Sequence, residues 1–439
     1  MRPPTSVLAV LLLLLPIPIA LFVSSAQVLN WFDICPSPSA PTLRHVHILQ
    51  NGHNRSTALP IEFTPSWLPW RATLVEEAGV RRILSEAFGH VQSPHVLYNE
   101  QGQRMRCASD IGDGSHIYVS TEGIPWQWAP EAVGHERKVR IRWIDSAFVD
   151  GPPGTIESDL ELRARSDDLP GDDEDGGSEV RTLVLETLSV SPPIFRVRNL
   201  VPNEIVDALV EHASSAFTPS TVGDPSLRGS DGKSVRKRDD RRTSSSHWLH
   251  GHNDPRKTLP AARAVQRAVS ELIRLAPRHQ MVRNVEPLLC VRYDQGEFYE
   301  PHHDFFAGDP SSTTPAEDAF TPPQGSNRFA TLVLYAEAPD EGGETVFPFA
   351  SPDADAASSL EGVAYAGGSG DDALACDFPA LKVRRGLLVT PRRGDAVLFY
   401  NQLPDGSLDG RTRHGSCPVV RGRKMAANVW SWNRAAIYR

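Results

Sequence analysis

The 439-residue chain is long enough for roughly two to three ordinary domains, and its 40% hydrophobic and 23% charged content is that of a soluble globular protein. A formal net charge of −9 lacks the basic footprint of a nucleic-acid binder, so no nucleic-acid partner is expected. Only six of the 45 basic residues are lysines, at positions 138, 233, 237, 257, 382 and 424, so a lysine with a specific task stands out.

Residues 1–26 read as a leader and not as part of a fold. Arg2 precedes an apolar run, Val7 to Val23, with no acidic residue beside it. Ser24-Ser25-Ala26 offers small residues for cleavage of a signal peptide; an uncleaved single-pass anchor with Arg2 on the cytoplasmic side fits equally. Both readings send the rest of the chain into the secretory pathway, to the endoplasmic reticulum or Golgi lumen. The sequon Asn54-Arg55-Ser56 agrees with a lumenal glycoprotein. Five cysteines (35, 107, 290, 376, 417) permit two disulfides and leave one thiol, and Cys290 in Leu288-Leu289-Cys290-Val291 reads as a buried core thiol.

Residues 27–165 carry short strand-like runs among prolines and tryptophans, such as His116–Val119 and the alternating Val139–Trp143. They are expected to form a small β-rich accessory region. Residues 166–180 are acidic and glycine-rich without the ligand spacing of a calcium loop, and read as a solvated linker. From 181 to 439 the pattern sharpens. Ile205, Leu209, Ala213 and Ala216 fall at helical spacing behind a candidate cap at Asn203, and Val265, Val269, Leu272 and Ile273 do the same within Leu259–Leu275. Strand-period runs follow at Leu288–Tyr293, Phe329–Ala336, Ala396–Tyr400 and Met425–Trp432. This predicts an α+β domain with helices on one side of an antiparallel sheet. The stretches Ala307–Asn327 and Ser351–Ala375 read as surface loops.

Within Tyr299-Glu300-Pro301-His302-His303-Asp304, residues two apart on an extended strand share a face, roughly 6.5–7 Å apart. His302 and Asp304 can therefore address one ion while His303 points away. After Asp304 the chain contains a single histidine, His414, so a third imidazole must come from there. Two imidazoles and a carboxylate on one face of an octahedral ion leave three positions, which suit a chelating cosubstrate plus O2 on Fe(II). A second H-x-D, His252-Asn253-Asp254, precedes Pro255 in a polar stretch and reads as a turn. Lys424, the only lysine after Lys382, enters the strand Met425–Trp432, and an ammonium buried there requires an anionic partner.

The surrounding motifs resemble the catalytic domain of prolyl 4-hydroxylases of the collagen and plant cell-wall type, over residues 187 to 433 and in the family's order. Thr187–Phe195 resembles its first strand, and Arg242-Thr243-Ser244-Ser245 its R-T-S-S motif. Tyr293-Asp294-Gln295-Gly296 through Tyr299-Glu300-Pro301-His302 resembles its Y-x-x-G…Y-x-P-H-x-D core. Arg328-Phe329-Ala330-Thr331, Gly342-Gly343-Glu344-Thr345-Val346-Phe347-Pro348, Pro391–Ala396 and His414-Gly415-Ser416-Cys417-Pro418-Val419 complete the series.

The resemblance implies a double-stranded β-helix (jelly roll) with helices packed outside it. It implies iron bound by His302, Asp304 and His414, and 2-oxoglutarate held by Lys424 with Tyr293 and Thr331 hydrogen-bonded to it. It implies hydroxylation of peptidyl proline in proline-rich or collagen-like secretory polypeptides, with L-ascorbate rescuing oxidised iron. Arg328 falls where the family has an arginine near the bound peptide, and Tyr299 and Trp432 are further candidates to line the peptide groove. Cys417 has no downstream cysteine, the partner used by some relatives; Cys376 is the available alternative. Competing readings are a dioxygenase acting on another residue or a small molecule, and an inert jelly-roll binding module. Oligomeric state is open.

Overall fold

The structure is a computed structural model that describes residues 44–63, 95–103, 105, 111–121, 124–143, 179–228, 234–249, 259–275, 284–306, 326–350, 360–366 and 375–434. The leader, the acidic segment up to 178, His252-Asn253-Asp254 and residues 307–325 lie outside these. Among the described residues no helix is long and apolar enough to cross a membrane.

Strands β1 (Arg44–Gln50), β2 (Leu59–Phe63), β3 (His95–Tyr98) and β4 (His116–Thr121) form a four-stranded sheet in the order β2-β1-β4-β3, with β1 and β4 parallel. The next strand, β5 (Glu136–Trp143), does not join it. Val139, Ile141 and Trp143 are buried on one face of β5 with less buried residues between them, so this strand needs a neighbour to cover that face. It pairs in antiparallel register with β6 (Glu179–Val190), from Glu136↔Glu186 to Trp143↔Glu179. The accessory boundary expected at 165 is thereby corrected: residues 136–143 belong to the main sheet, and the acidic segment connects two of its paired strands. Trp126 and Trp128 lie in the same apolar core as that sheet, and the Trp128 backbone N–H donates to the Tyr400 hydroxyl (2.9 Å).

β6 turns at Ser191-Pro192 into β7 (Pro193–Arg198), so the stretch Thr187–Phe195, expected as one strand, spans both arms of a hairpin. Helix α1 covers Asn203–Ser214 and α2 covers Pro260–Leu272, both near their predicted positions. The cap differs: Pro202 precedes the first turn of α1 with no side-chain bond, and Asn203 is already helical. Pro260 occupies the first turn of α2, where its missing N–H has no partner to lose.

The remaining strands are β8 (Thr218–Pro219), β9 (Ser245–Trp248), β10 (Leu289–Tyr293), β11 (Tyr299–His302), β12 (Arg328–Glu337), β13 (Thr345–Phe347), β14 (Val363–Ala366), β15 (Gly386–Val389), β16 (Ala396–Tyr400), β17 (His414–Ser416) and β18 (Lys424–Trp432), alongside shorter pairs. They build two antiparallel sheets: a nine-stranded one in the order β5-β6-β7-β16-β12-β18-β10-β9-β8, and a five-stranded one, β11-β17-β13-β15-β14.

Period-two alternation sorts the central strands into two faces. Leu332, Leu334, Leu398, Met425, Ala427 and Val429 pack toward α1 and α2, while Val333, Tyr335, Val397, Phe399 and Ala426 face the smaller sheet through Phe347, Leu387 and Val389. Each fully buried aliphatic or aromatic side chain contributes about 1.5–3 kcal/mol, and this inner layer also fixes where polar residues on the same face must sit. The result is the jelly roll with outer helices that the motifs implied, preceded by a β-rich region. Gly342 shapes the turn before β13: at φ +77° an added Cβ would stand 2.5 Å from the Pro418 carbonyl oxygen. Cys376 and Cys417 form a disulfide, and Cys290 is a free, buried thiol.

Candidate active site

β11 and β17 pair so that His302 lies directly opposite His414, and their rings approach with centroids 4.6 Å apart. Cross-strand register therefore joins two imidazoles separated by 112 residues of chain. Asp304, just beyond the end of β11, completes the group: His302 Nε2 is 3.6 Å from Oδ1 and His414 Nε2 is 3.5 Å from Oδ2. One donor atom from each residue lies within 4.8 Å of the others. Exposed His303 turns away, as alternation requires, with Nε2 at 2.9 Å from the Gly410 carbonyl oxygen.

Each donor is oriented from behind. His302 Nδ1 sits 3.0 Å from the Glu300 carbonyl and His414 Nδ1 sits 3.1 Å from the Thr412 carbonyl, which assigns the proton to Nδ1 and leaves each Nε2 a lone pair. Burial pushes His414 down to about 4, so it is a neutral ligand at physiological pH. Burial by itself would raise Asp304, but His414, His302 and Arg328 outweigh it and hold the carboxyl below the usual carboxylate range. Two neutral imidazoles and an ionised carboxylate fit a divalent ion such as Fe(II).

Thr331 is fully buried and donates to Asp304 Oδ2 (2.8 Å), while Asn401 Nδ2 donates to Thr331 Oγ1 (2.9 Å). The threonine expected to bond a cosubstrate thus acts on the carboxylate. Arg328, expected at a peptide, is also committed elsewhere. Its Nε and Nη2 bond Glu286 at 2.6 and 2.8 Å, its Nη1 bonds the Asp304 carbonyl at 3.2 Å, and its guanidinium lies 3.8 Å from the Trp430 ring centroid. Trp432 is fully buried, donates to Glu286 Oε1 (2.7 Å) and stacks on Phe306, so it is a core residue and not a groove wall. Half-buried Tyr299 stacks on His302 with centroids 3.8 Å apart and lies under the Arg242 guanidinium at 4.6 Å.

Lys424 begins β18 opposite Tyr293 of β10 and is 1% exposed. Its Nζ donates to the Gly343 carbonyl (2.7 Å) and Ser416 Oγ (2.8 Å), but it makes no ion pair among the described residues. Burial pushes it down to about 7, with Glu344 opposing. Tyr293 is buried nearby, its ring 5.3 Å from Nζ, and burial raises its phenol to about 12. Ser416, which holds Lys424, is two residues along β17 from His414, a step of roughly 7 Å. A short dicarboxylate spans that distance.

Residues 288–432 match the 2OG-Fe(II) oxygenase superfamily. A probable prolyl 4-hydroxylase 8 of Arabidopsis thaliana is 32% identical over 261 residues, 59% of this chain and 74% of that protein. Prolyl 4-hydroxylase 5 of the same plant is 30% identical over 274 residues, 62% of this chain and 78% of the relative. The chain belongs to the prolyl 4-hydroxylase family. A viral collagen prolyl hydroxylase from Paramecium Bursaria Chlorella virus-1, solved as a 2OG complex, aligns at 21% identity over 55% of this chain and 96% of that chain, with a TM-score of 0.33.

As a prolyl 4-hydroxylase-type dioxygenase the enzyme uses Fe(II), 2-oxoglutarate and O2. Residues that the sequence did not single out are Asn401, Glu286 and Trp430. Asn401 had a faint signal, an amide directly after the apolar strand Ala396–Tyr400. Trp430 lies on the inner face of β18, shares a cluster with Tyr293 and Tyr299, and its indole N–H is buried without a partner among the described residues.

Proposed function

We propose that the enzyme hydroxylates peptidyl proline to 4-hydroxyproline in proline-rich or collagen-like polypeptides of the secretory pathway. 2-Oxoglutarate is decarboxylated to succinate and CO2; one oxygen atom of O2 enters succinate and the other enters the proline. The observation that carries this reading is the convergence of His302, Asp304 and His414, with Ser416, two residues from His414, bonded to the buried Lys424, which has no ion pair among the described residues. In this reading the three residues hold Fe(II), which supplies the redox chemistry when bound. L-Ascorbate would serve as the reductant if the iron became oxidised.

The chain's own residues position the reactants. Thr331 and Asn401 fix the carboxylate of Asp304, and the Glu300 and Thr412 carbonyls fix the imidazoles. Lys424 takes the distal carboxylate of 2-oxoglutarate, a charge-assisted bond in a site that excludes water. Tyr293 donates beside it. Half-buried Tyr299, stacked on His302 and covered by Arg242, is placed to border the peptide groove by its remaining exposed edge. The secretory location is supported by the apolar run Val7–Val23 and by the sequon at Asn54, whose residues 54–57 lie on the described surface. The long segment Ala307–Asn327 is proposed to border the peptide groove; its last residue, Asn327, bonds Phe306 through both side-chain atoms.

The test is succinate release with Fe(II) and 2-oxoglutarate, using poly-proline, collagen-like and serine-proline peptides, with mass spectrometry locating the added oxygen. Hydroxyproline on at least one class is expected. Succinate release without an added oxygen on any proline peptide would favour a different hydroxylated residue.

A further inference from the structure

Asn401 stands just beyond the strand that carries it. β16 pairs with β7 only as far as Phe399↔Ile194 and with β12 only as far as Tyr400↔Ala330. Past that point the Asn401 backbone N–H still donates to the Phe329 carbonyl (2.8 Å), and its own carbonyl accepts from Asp409 across a turn. Strand ends loosen unless other contacts tie them down. Yet Asn401 has to be placed closely. Its Nδ2 donates to Thr331 Oγ1, and Thr331 gives its one proton to Asp304 Oδ2, so the bonds run in one direction, from amide to hydroxyl to carboxylate. Asn401 is fully buried, and its Oδ1 has no hydrogen-bond partner among the described residues. With no second side-chain bond to aim it, the amide depends on where the backbone puts it.

The residues on either side of Asn401 are tied down from the amino-terminal region. The Gln127 side chain donates from Nε2 to the Gln402 carbonyl (2.9 Å), and the Trp128 backbone N–H donates to the Tyr400 hydroxyl (2.9 Å). Period two puts Tyr400 on the face of the strand opposite Asn401, so Trp128 holds the strand from its outer side while Asn401 points in. Both donors are themselves fixed. Buried Asn51 accepts from the Gln127 backbone N–H (2.9 Å) and donates to the Pro125 carbonyl (2.8 Å), and the Trp128 indole donates to the Leu272 carbonyl at the end of α2 (2.8 Å). Gln127 and Trp128 are buried, so these bonds form away from bulk water, where they are electrostatically stronger.

We propose that Gln127 and Trp128 are positioning residues for the metal site: they clamp Gln402 and Tyr400, keep Asn401 on Thr331, and thereby hold the Asp304 carboxylate in the orientation that receives the ion. The amino-terminal region then has a task in the reaction besides covering the sheet. The inference rests on the assignment of Fe(II) to His302, Asp304 and His414. Thr331 is the relay in this path, so a loss at the clamp cannot exceed the weakening of about tenfold expected from Thr331→Val. Contacts that served stability alone would leave the metal affinity of the folded protein where it was.

The test titrates Co(II), a spectroscopically visible stand-in for Fe(II), into the full-length protein stripped of metal by chelation. Gln127→Met removes one donor at similar volume, and Tyr400→Phe removes only the acceptor oxygen. Each should raise the Co(II) Kd about threefold and the pair about five- to tenfold, within the ceiling set by Thr331. The visible absorption bands of the bound ion, which follow ligand geometry, should change with them. In the Thr331→Val background the same substitutions should move Kd by less than about 1.5-fold, because residues acting through one relay do not add. Deuterium exchange at residues 400–403 should speed up in both variants, and Tyr400→Phe carries the test should Gln127→Met fold poorly. Lower thermal stability with Kd and spectrum unchanged would make these contacts structural only. Equal losses with and without the Thr331 hydroxyl would route the effect elsewhere, and either result overturns the clamp. Asp304→Asn tests the underlying assignment separately: a Co(II) Kd unmoved by that substitution would remove the metal site itself, and the clamp with it, whereas loss of Co(II) there with no response at the clamp would remove the clamp alone.

Discussion

The two ends of the site are built on opposite electrostatic terms. At one end the buried carboxylate of Asp304 is surrounded by groups that favour its charge: two imidazoles, the Thr331 hydroxyl, and Arg328 behind its backbone. At the other end, among the described residues, the buried ammonium of Lys424 has only a carbonyl and a hydroxyl to donate to, and no carboxylate pairs with it. Desolvation acts on both, yet Asp304 stays ionised while Lys424 falls to about 7. The contrast teaches which component each end lacks. The carboxylate end is pre-organised to receive a cation between neutral donors, and the lysine end is held short of its anion.

Breaking the metal end should have the largest effect. His414→Ala or Asp304→Asn should remove bound iron, read by elemental analysis, and lower succinate release by about a thousandfold or more, with far-UV circular dichroism unchanged. Normal iron content in either variant would end the assignment. Breaking the lysine end should be selective: Lys424→Ala should raise the 2-oxoglutarate KM by about ten- to a hundredfold and leave the peptide KM within about twofold, because one charge-assisted bond is lost.

Thr331→Val tests whether the pre-organisation of Asp304 matters. It removes the hydroxyl bond while keeping shape, and should weaken iron binding by about tenfold, at the low end for groups that orient a metal ligand. A change in the 2-oxoglutarate KM with iron affinity intact would return Thr331 to the cosubstrate. The smallest and most diagnostic effect is on pH. Lys424 in the cosubstrate-free enzyme titrates near 7, below its value of about 10.4 in an unfolded chain. Between these pH values the unfolded state binds more protons, so this group makes the folded enzyme more stable as pH rises. A dianionic cosubstrate needs the protonated form, so its affinity should fall over the same window. Titration calorimetry and thermal melts should show the two opposite slopes, and Lys424→Arg, always charged, should flatten both.

Much of the chemistry was legible in the chain itself. The H-x-D spacing, a single later histidine and an isolated lysine at a strand start are local facts, and period two places such residues on a face without reference to the rest of the fold. Both helices and the four central strands also declared themselves, because each must hide an apolar face with a fixed repeat. Arg328 and Trp432 did not. Their motif positions suggested a peptide groove, but Glu286 lies 42 residues before Arg328 in the chain, and only folding brings its carboxylate to both. The same holds for β5, which looked like part of a separate region until its one apolar face found β6 across the acidic segment. Sequence alone determined which residues could bind a metal or an anion, since that depends on residue type and local spacing. Tertiary structure alone decided which polar side chains were already satisfied, since a hydrogen bond depends on the partner that packing delivers.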